Sequence, residues 1–171
     1  MQGGGVVKVR NRTYSENMEV RYFLKSSLLC IFILSAVVSF AETKTCKPTE
    51  PDMLGPFYKA DAPVRSSVGK GYILDGIVRS SKGCAAIRGA HIEFWLTGPD
   101  GRYDDAHRAT VHSDDKGAFR FESNYPKPYY GRPPHIHIRV SAQGFRTLVT
   151  QHYPDKGKSG ATFDLVLIPS E

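Results

Sequence analysis

His135-Ile136-His137-Ile138-Arg139-Val140-Ser141 alternates apolar and polar side chains, the two-residue period at which successive positions of a β-strand change faces. Ile136, Ile138 and Val140 share one face, which must pack on a core, and His135 and His137 project together from the other. Similar short runs flank it: Gly71–Arg79, Ala90–Leu96, Ala109–His112, Ala118–Glu122, Thr147–Tyr153 and Thr162–Ile168. In Ala90–Leu96 the same division sets Ile92, Phe94 and Leu96 against His91, Glu93 and Trp95. Turn signals separate the runs at Gly98-Pro99-Asp100-Gly101, Asp114-Asp115-Lys116-Gly117 and Asp155-Lys156-Gly157-Lys158. Short strands at this spacing, with no convincing amphipathic helix between them, predict an all-β antiparallel sandwich of about seven or more strands.

The remaining chain is organised around that sandwich, assigned to 71–171. Residues 42–70 are rich in proline and glycine and lack periodicity, so they read as an extended arm. Residues 1–41 read as an N-terminal extension and signal peptide. Ser27–Phe40 is an uncharged apolar run of the length expected for a signal-peptide core, with Arg21 and Lys25 as its positive flank. Ser39-Phe40-Ala41 supplies the small residues of a cleavage site after Ala41. The run is shorter than the ~20 residues a spanning helix needs, so no stable membrane anchor is expected after processing. Met18 opens MEVRYFLKSS, an ordinary signal-peptide start, and is read as the first translated residue.

Cysteine usage and charge agree with export. Processing removes Cys30 and leaves Cys46 and Cys84, a pair that an oxidising compartment would join. The expected location is therefore secreted or periplasmic. The net charge of +6 divides into +3 from residues 1–41 (five Lys/Arg, two Asp/Glu) and +3 from the rest (eighteen and fifteen). Interspersed signs at +3 give no basic stripe, so a nucleic-acid partner is not expected.

The chemistry is concentrated in Tyr129-Tyr130-Gly131-Arg132-Pro133-Pro134-His135-Ile136-His137. Two histidines at i and i+2 of a strand present two imidazoles on one side, half of a metal site. By itself such a pair is more often structural. The preceding loop adds Tyr129, Tyr130, Arg132 and stiffening prolines, and Tyr103 lies in a separate glycine-rich turn. Phenolates are hard anionic ligands suited to iron(III), and two of them with two neutral imidazoles would keep iron ferric. The common ferrous pattern of two His and one carboxylate has no carboxylate beside this pair. Zinc or copper on the histidines is a rival reading, though zinc favours His, Cys and carboxylates.

Several stretches together resemble the intradiol ring-cleavage dioxygenases. Leu54-Gly55-Pro56-Phe57-Tyr58 resembles that family's entry motif, and Gly89–Trp95 with Gly101-Arg102-Tyr103 its first-ligand region. Ser113–Phe121 resembles the turn and strand that follow. Pro126-Lys127-Pro128-Tyr129, Arg132 and His135-Ile136-His137 resemble the core ligand motif, and Thr150-Gln151-His152-Tyr153 the closing motif. The resemblance implies a non-haem Fe(3+) held by Tyr103, Tyr129, His135 and His137. It implies an oxidoreductase that inserts both atoms of O2 into a small aromatic diol, giving a muconate-type diacid in aromatic-compound catabolism. Tyr129 then corresponds to the labile tyrosinate and doubles as a base, Arg132 offsets developing negative charge, and Gln151 supports the ligands from behind. Tyr130 matches no ligand and is assigned to packing. The short Tyr103–Tyr129 interval and the lack of a recognisable N-terminal helical segment leave substrate and oligomeric state open. The alternative function is a non-catalytic secreted β-sandwich binding module.

Overall fold

The computed structural model describes residues 44–171. The signal-peptide reading, Met18 and the proposed cleavage after Ala41 lie outside the described residues. Eight strands follow in chain order. They are β1 (Tyr72–Ser80), β2 (His91–Leu96), β3 (Arg108–His112), β4 (Ala118–Ser123), β5 (Ile136–Ser141), β6 (Leu148–His152), β7 (Gly160–Thr162) and β8 (Leu165–Leu167). A single 3-10 turn, Asp105–His107, precedes β3. One sheet runs β4-β1-β7, with β8 also paired to β1, and the other runs β3-β2-β5-β6.

The two sheets close on one core. Alternate residues of β1 are buried, and Tyr72, Leu74 and Val78 meet Ile92, Phe94, Leu96, Ile136, Ile138 and Val140 from the opposite sheet. Phe94 of β2 stacks on Phe121 of β4 with centroids 4.2 Å apart, tying the layers. This is the all-β sandwich expected from the alternation, and its core faces are those assigned from the sequence.

Three details depart from the expectation. The C-terminal run Thr162–Ile168 is broken into β7 and β8, and both pair parallel with β1, so that sheet is mixed. The break has a local cause: Asp164 Oδ1 accepts the Ile77 backbone N–H at 2.9 Å, replacing a backbone partner. Phe163 N donates to the Asp75 carbonyl at 2.7 Å, and its own carbonyl occupies the space beside Gly76 that a side chain would need. Finally, β5 begins at Ile136, leaving His135 at the end of the proline loop.

Residues 44–71 form no strand, only isolated bridges and backbone hydrogen bonds to both sheets. Thr49 N donates to Val166 O (3.1 Å), Asp52 N to Val149 O (2.9 Å) and Arg65 N to Thr110 O (3.0 Å). The Cys46–Cys84 disulfide, Cα–Cα 5.3 Å, fastens the arm to the loop after β1. The arm thereby crosses the face of β2-β5-β6 that alternation assigns to polar residues. Glu93, Trp95, His137 and Gln151 on that face are buried, at 5% exposure or less.

Candidate metal centre

The sequence-predicted residues come together on that covered face. Register places Trp95 opposite His137 and His137 opposite Gln151, so β2, β5 and β6 present one row. Trp95 stacks on the His137 ring at 4.8 Å with 3° between planes, fixing the imidazole. Gly55 of the arm approaches the other side: a side-chain carbon there would lie 3.0 Å from His137 Cε1, and its φ is +72°. Both constraints require glycine at this position.

His135 is set by its Nδ1–H, which donates to the Pro133 carbonyl at 2.7 Å and leaves Nε2 as the free lone pair. That Nε2 lies 2.9 Å from Tyr103 Oη and 3.2 Å from His137 Nε2. Tyr103 arrives from the loop ahead of the 3-10 turn, whose first N–H groups are capped by Asp104. Tyr129 stands edge-on to Tyr103, centroids 5.3 Å apart. Phe57 of the arm stacks on Tyr103 at 4.4 Å and meets Tyr129 edge-on at 5.2 Å.

Electrostatics keep these groups neutral in the absence of a cation. Burial, with the His135 and Arg132 charges, drives His137 down to about 3. Burial also lowers His135, against its bond to Pro133. Burial pushes the Tyr103 hydroxyl up to about 12, with Arg132 opposing. Both imidazoles therefore offer lone pairs at neutral pH. His137 Nδ1 is buried on the side of the Met53 backbone of the arm.

Arg132 and Gln151 act as a connected pair. Arg132 Nη2 donates to Gln151 Oε1 (2.9 Å) and Tyr153 Oη (2.7 Å), while Gln151 Nε2 donates to the Met53 carbonyl (2.6 Å). The Tyr153 hydroxyl donates in turn to Asp52 Oδ2 at 2.7 Å. Asp52, Phe57, Trp95 and Tyr153 therefore belong to the site although no role was read for them in the sequence. Phe57 and Tyr153 fall inside recognisable motifs. Asp52 carries no local signal, since only the path of the arm brings it to β6. Glu93 is engaged elsewhere, accepting from Arg139 Nη1 (2.6 Å) and Tyr58 Oη (3.1 Å). Among the described residues no group of three His, Cys, Asp or Glu side chains could hold a metal, so an ion here needs the tyrosines. Tyr103, Tyr129, His135 and His137, with Phe57 and Arg132, border an open cleft of about 480 Å³.

No protein-family model matches the chain. It is 26% identical to a chlorocatechol 1,2-dioxygenase of Cupriavidus pinatubonensis across 82% of this chain and 68% of that protein. It is 33% identical to a catechol 1,2-dioxygenase of Candida albicans across 66% of this chain and 49% of that one. Among solved structures, the dioxygenase domain of a Streptomyces carbohydrate-binding fusion superposes with a TM-score of 0.66 at 28% identity, covering 72% of this chain and 100% of that domain. These relatives and neighbours support the intradiol ring-cleavage dioxygenase family for this chain. An intradiol ring-cleavage dioxygenase from Tetranychus urticae shares the fold, at a TM-score of 0.66, 17% identity and coverage of 74% and 96%. Named relatives and solved neighbours agree on an intradiol ring-cleavage oxygenase, and this chain is an enzyme of that kind.

Proposed function

We propose that this enzyme uses iron(III) and O2 to open a catechol-type ring between its hydroxyl-bearing carbons, yielding a muconate-type diacid. The observation that carries the proposal is the convergence of Tyr103 Oη, His135 Nε2 and His137 Nε2 within 2.9 and 3.2 Å, with Tyr129 alongside. The donor set fits a ferric ion. Neutral imidazoles and a phenol oxygen this close together can turn their lone pairs on one shared cation. The Tyr103 phenol, held neutral by burial, becomes a ligand when a cation compensates its charge. Tyr103, Tyr129, His135 and His137 would hold the ion. When bound, iron(III) supplies Lewis acidity and electron-accepting character to the diol.

The protein's own groups account for the rest. Tyr129 Oη is the base for a diol proton. Arg132, held by Gln151 and Tyr153, offers a fixed positive charge where the opening ring becomes anionic. Phe57 and Trp95 hold the ligand rings and keep water from them. Export is part of the proposal: the Cys46–Cys84 bond is of the kind retained in oxidising compartments.

The test is a visible spectrum of the protein loaded with iron(III), before and after catechol is added without oxygen. The expected result is a red-brown tyrosinate-to-iron band that moves to longer wavelength with catechol. A protein that stays colourless after loading would rule out the four-residue site and favour a non-catalytic binding module.

A further inference from the structure

We infer that Tyr130 determines specificity at this site, selecting catechols that carry a second aromatic ring over bare one-ring diols. The inference rests on the proposed function and concerns which diol the cleft takes. Tyr130 and Gly131 are the central residues of a two-residue turn. Tyr129 N–H donates to the Arg132 carbonyl (3.2 Å) and Arg132 N–H to the Tyr129 carbonyl (2.9 Å). Both central residues have positive φ, 45° for Tyr130 and 73° for Gly131. Such turns favour Asn-Gly, Asp-Gly or Gly-Gly, and a bulky side chain in this region is strained.

Within the chain the strained residue gains little. Its side chain is 90% exposed, touching edge-on the ring of Tyr129 at 4.7 Å. It nevertheless lines the cleft. A strained, exposed aromatic ring on a cleft wall is a residue whose contacts a ligand completes.

The cleft indicates the ligand class. Its volume of about 480 Å³ lies in the range of roughly 300–1,000 Å³ of small-molecule sites, with room for more than a single diol ring. A diol held at Tyr103 and Tyr129 would leave the Tyr130 side of the cleft open. Apart from the candidate ligands, the lining is largely apolar, with Met53, Pro56, Phe57 and Tyr130. Arg132 is the one Lys or Arg on the lining, and Gln151 and Tyr153 already engage it. A neutral aryl extension fits these walls better than a ring carboxylate.

Calorimetric titration of iron-loaded enzyme in oxygen-free buffer tests this, using catechol, a phenyl-substituted catechol and the carboxylated catechol protocatechuate. Wild type should bind the phenyl-substituted diol most tightly. Tyr130→Ala should cut the affinity ratio of phenyl-substituted to bare catechol by roughly five- to tenfold, the worth of one aromatic pair. Tyr130→Phe should retain the ratio. Tyr130→Asn, which suits the turn, should cut the ratio equally with no fall in thermal midpoint. Affinities that weaken in parallel, leaving the ratio unmoved, would mean that Tyr130 only shapes the turn and would overturn the inference. Equal or tighter binding of catechol or protocatechuate by wild type would overturn the substrate class. A colourless wild type that binds none of the three would sink the iron reading itself, and this inference with it.

Discussion

Arg132 shows what one residue contributes here and how it is held. Its guanidinium is fixed by two acceptors, Gln151 Oε1 and Tyr153 Oη, and Tyr153 is anchored to Asp52. In an iron-loaded enzyme, Arg132→Gln is expected to lower kcat/KM for catechol by about 100-fold, the scale of removing one preorganised charge donor. The visible band should persist, because the four candidate ligands are untouched. Steady-state kinetics with a parallel spectrum checks this, and activity within a few-fold of wild type would remove Arg132 from charge stabilisation. The histidine pair was legible as residues because alternation alone puts His135 and His137 on one side. The position of Asp52 was not, because it reaches the site from a stretch with neither periodicity nor motif.

At the scale of elements, the arm depends on attachment rather than on its own structure. It has no strand; its backbone hydrogen bonds to the strands reach β6 and β8 singly and pair only around Thr110 of β3 and Glu122 of β4. The Cys46–Cys84 bond, spanning 38 residues, limits its freedom in the unfolded chain. Replacing both cysteines by serine is expected to cost about 2–4 kcal/mol in urea unfolding. The visible band of iron-loaded protein should weaken with it, since the arm carries Gly55 and Phe57 onto the ligands. An unchanged unfolding midpoint would show that the arm's other contacts suffice. The strand boundaries read from alternation hold to within a residue or so for β1 to β6. The C-terminal run fails as one strand because the competing partner is the Asp164 side chain, which no pattern of hydrophobicity reports.

The whole molecule adds a pH response through His152, which lies between the sheets. The Tyr72 hydroxyl donates to His152 Nε2 at 2.6 Å, and burial lowers His152 from its ordinary 6.5, with Asp155 opposing. Above that ordinary value both folded and unfolded chains hold it neutral. As the pH falls through 6.5 the unfolded chain takes up a proton that the folded chain still refuses, so stability decreases. His135 and His137 carry the same sign in metal-free protein, so His152→Gln, which keeps an acceptor for Tyr72, isolates the contribution. Between about pH 7 and pH 5 the wild type should lose more stability than the variant in urea titrations; parallel losses would exclude His152. The sequence by itself determined the all-β class, the core faces of β2 and β5, and the residue types of the candidate ligands. Those follow from a two-residue period and from side-chain chemistry, both local properties. Only the tertiary structure decided that the polar face of β2-β5-β6 is a buried site, because a segment with no pattern of its own is laid across it. The same long-range path joined Asp52 to Arg132 through Tyr153, an outcome that no local stretch encodes.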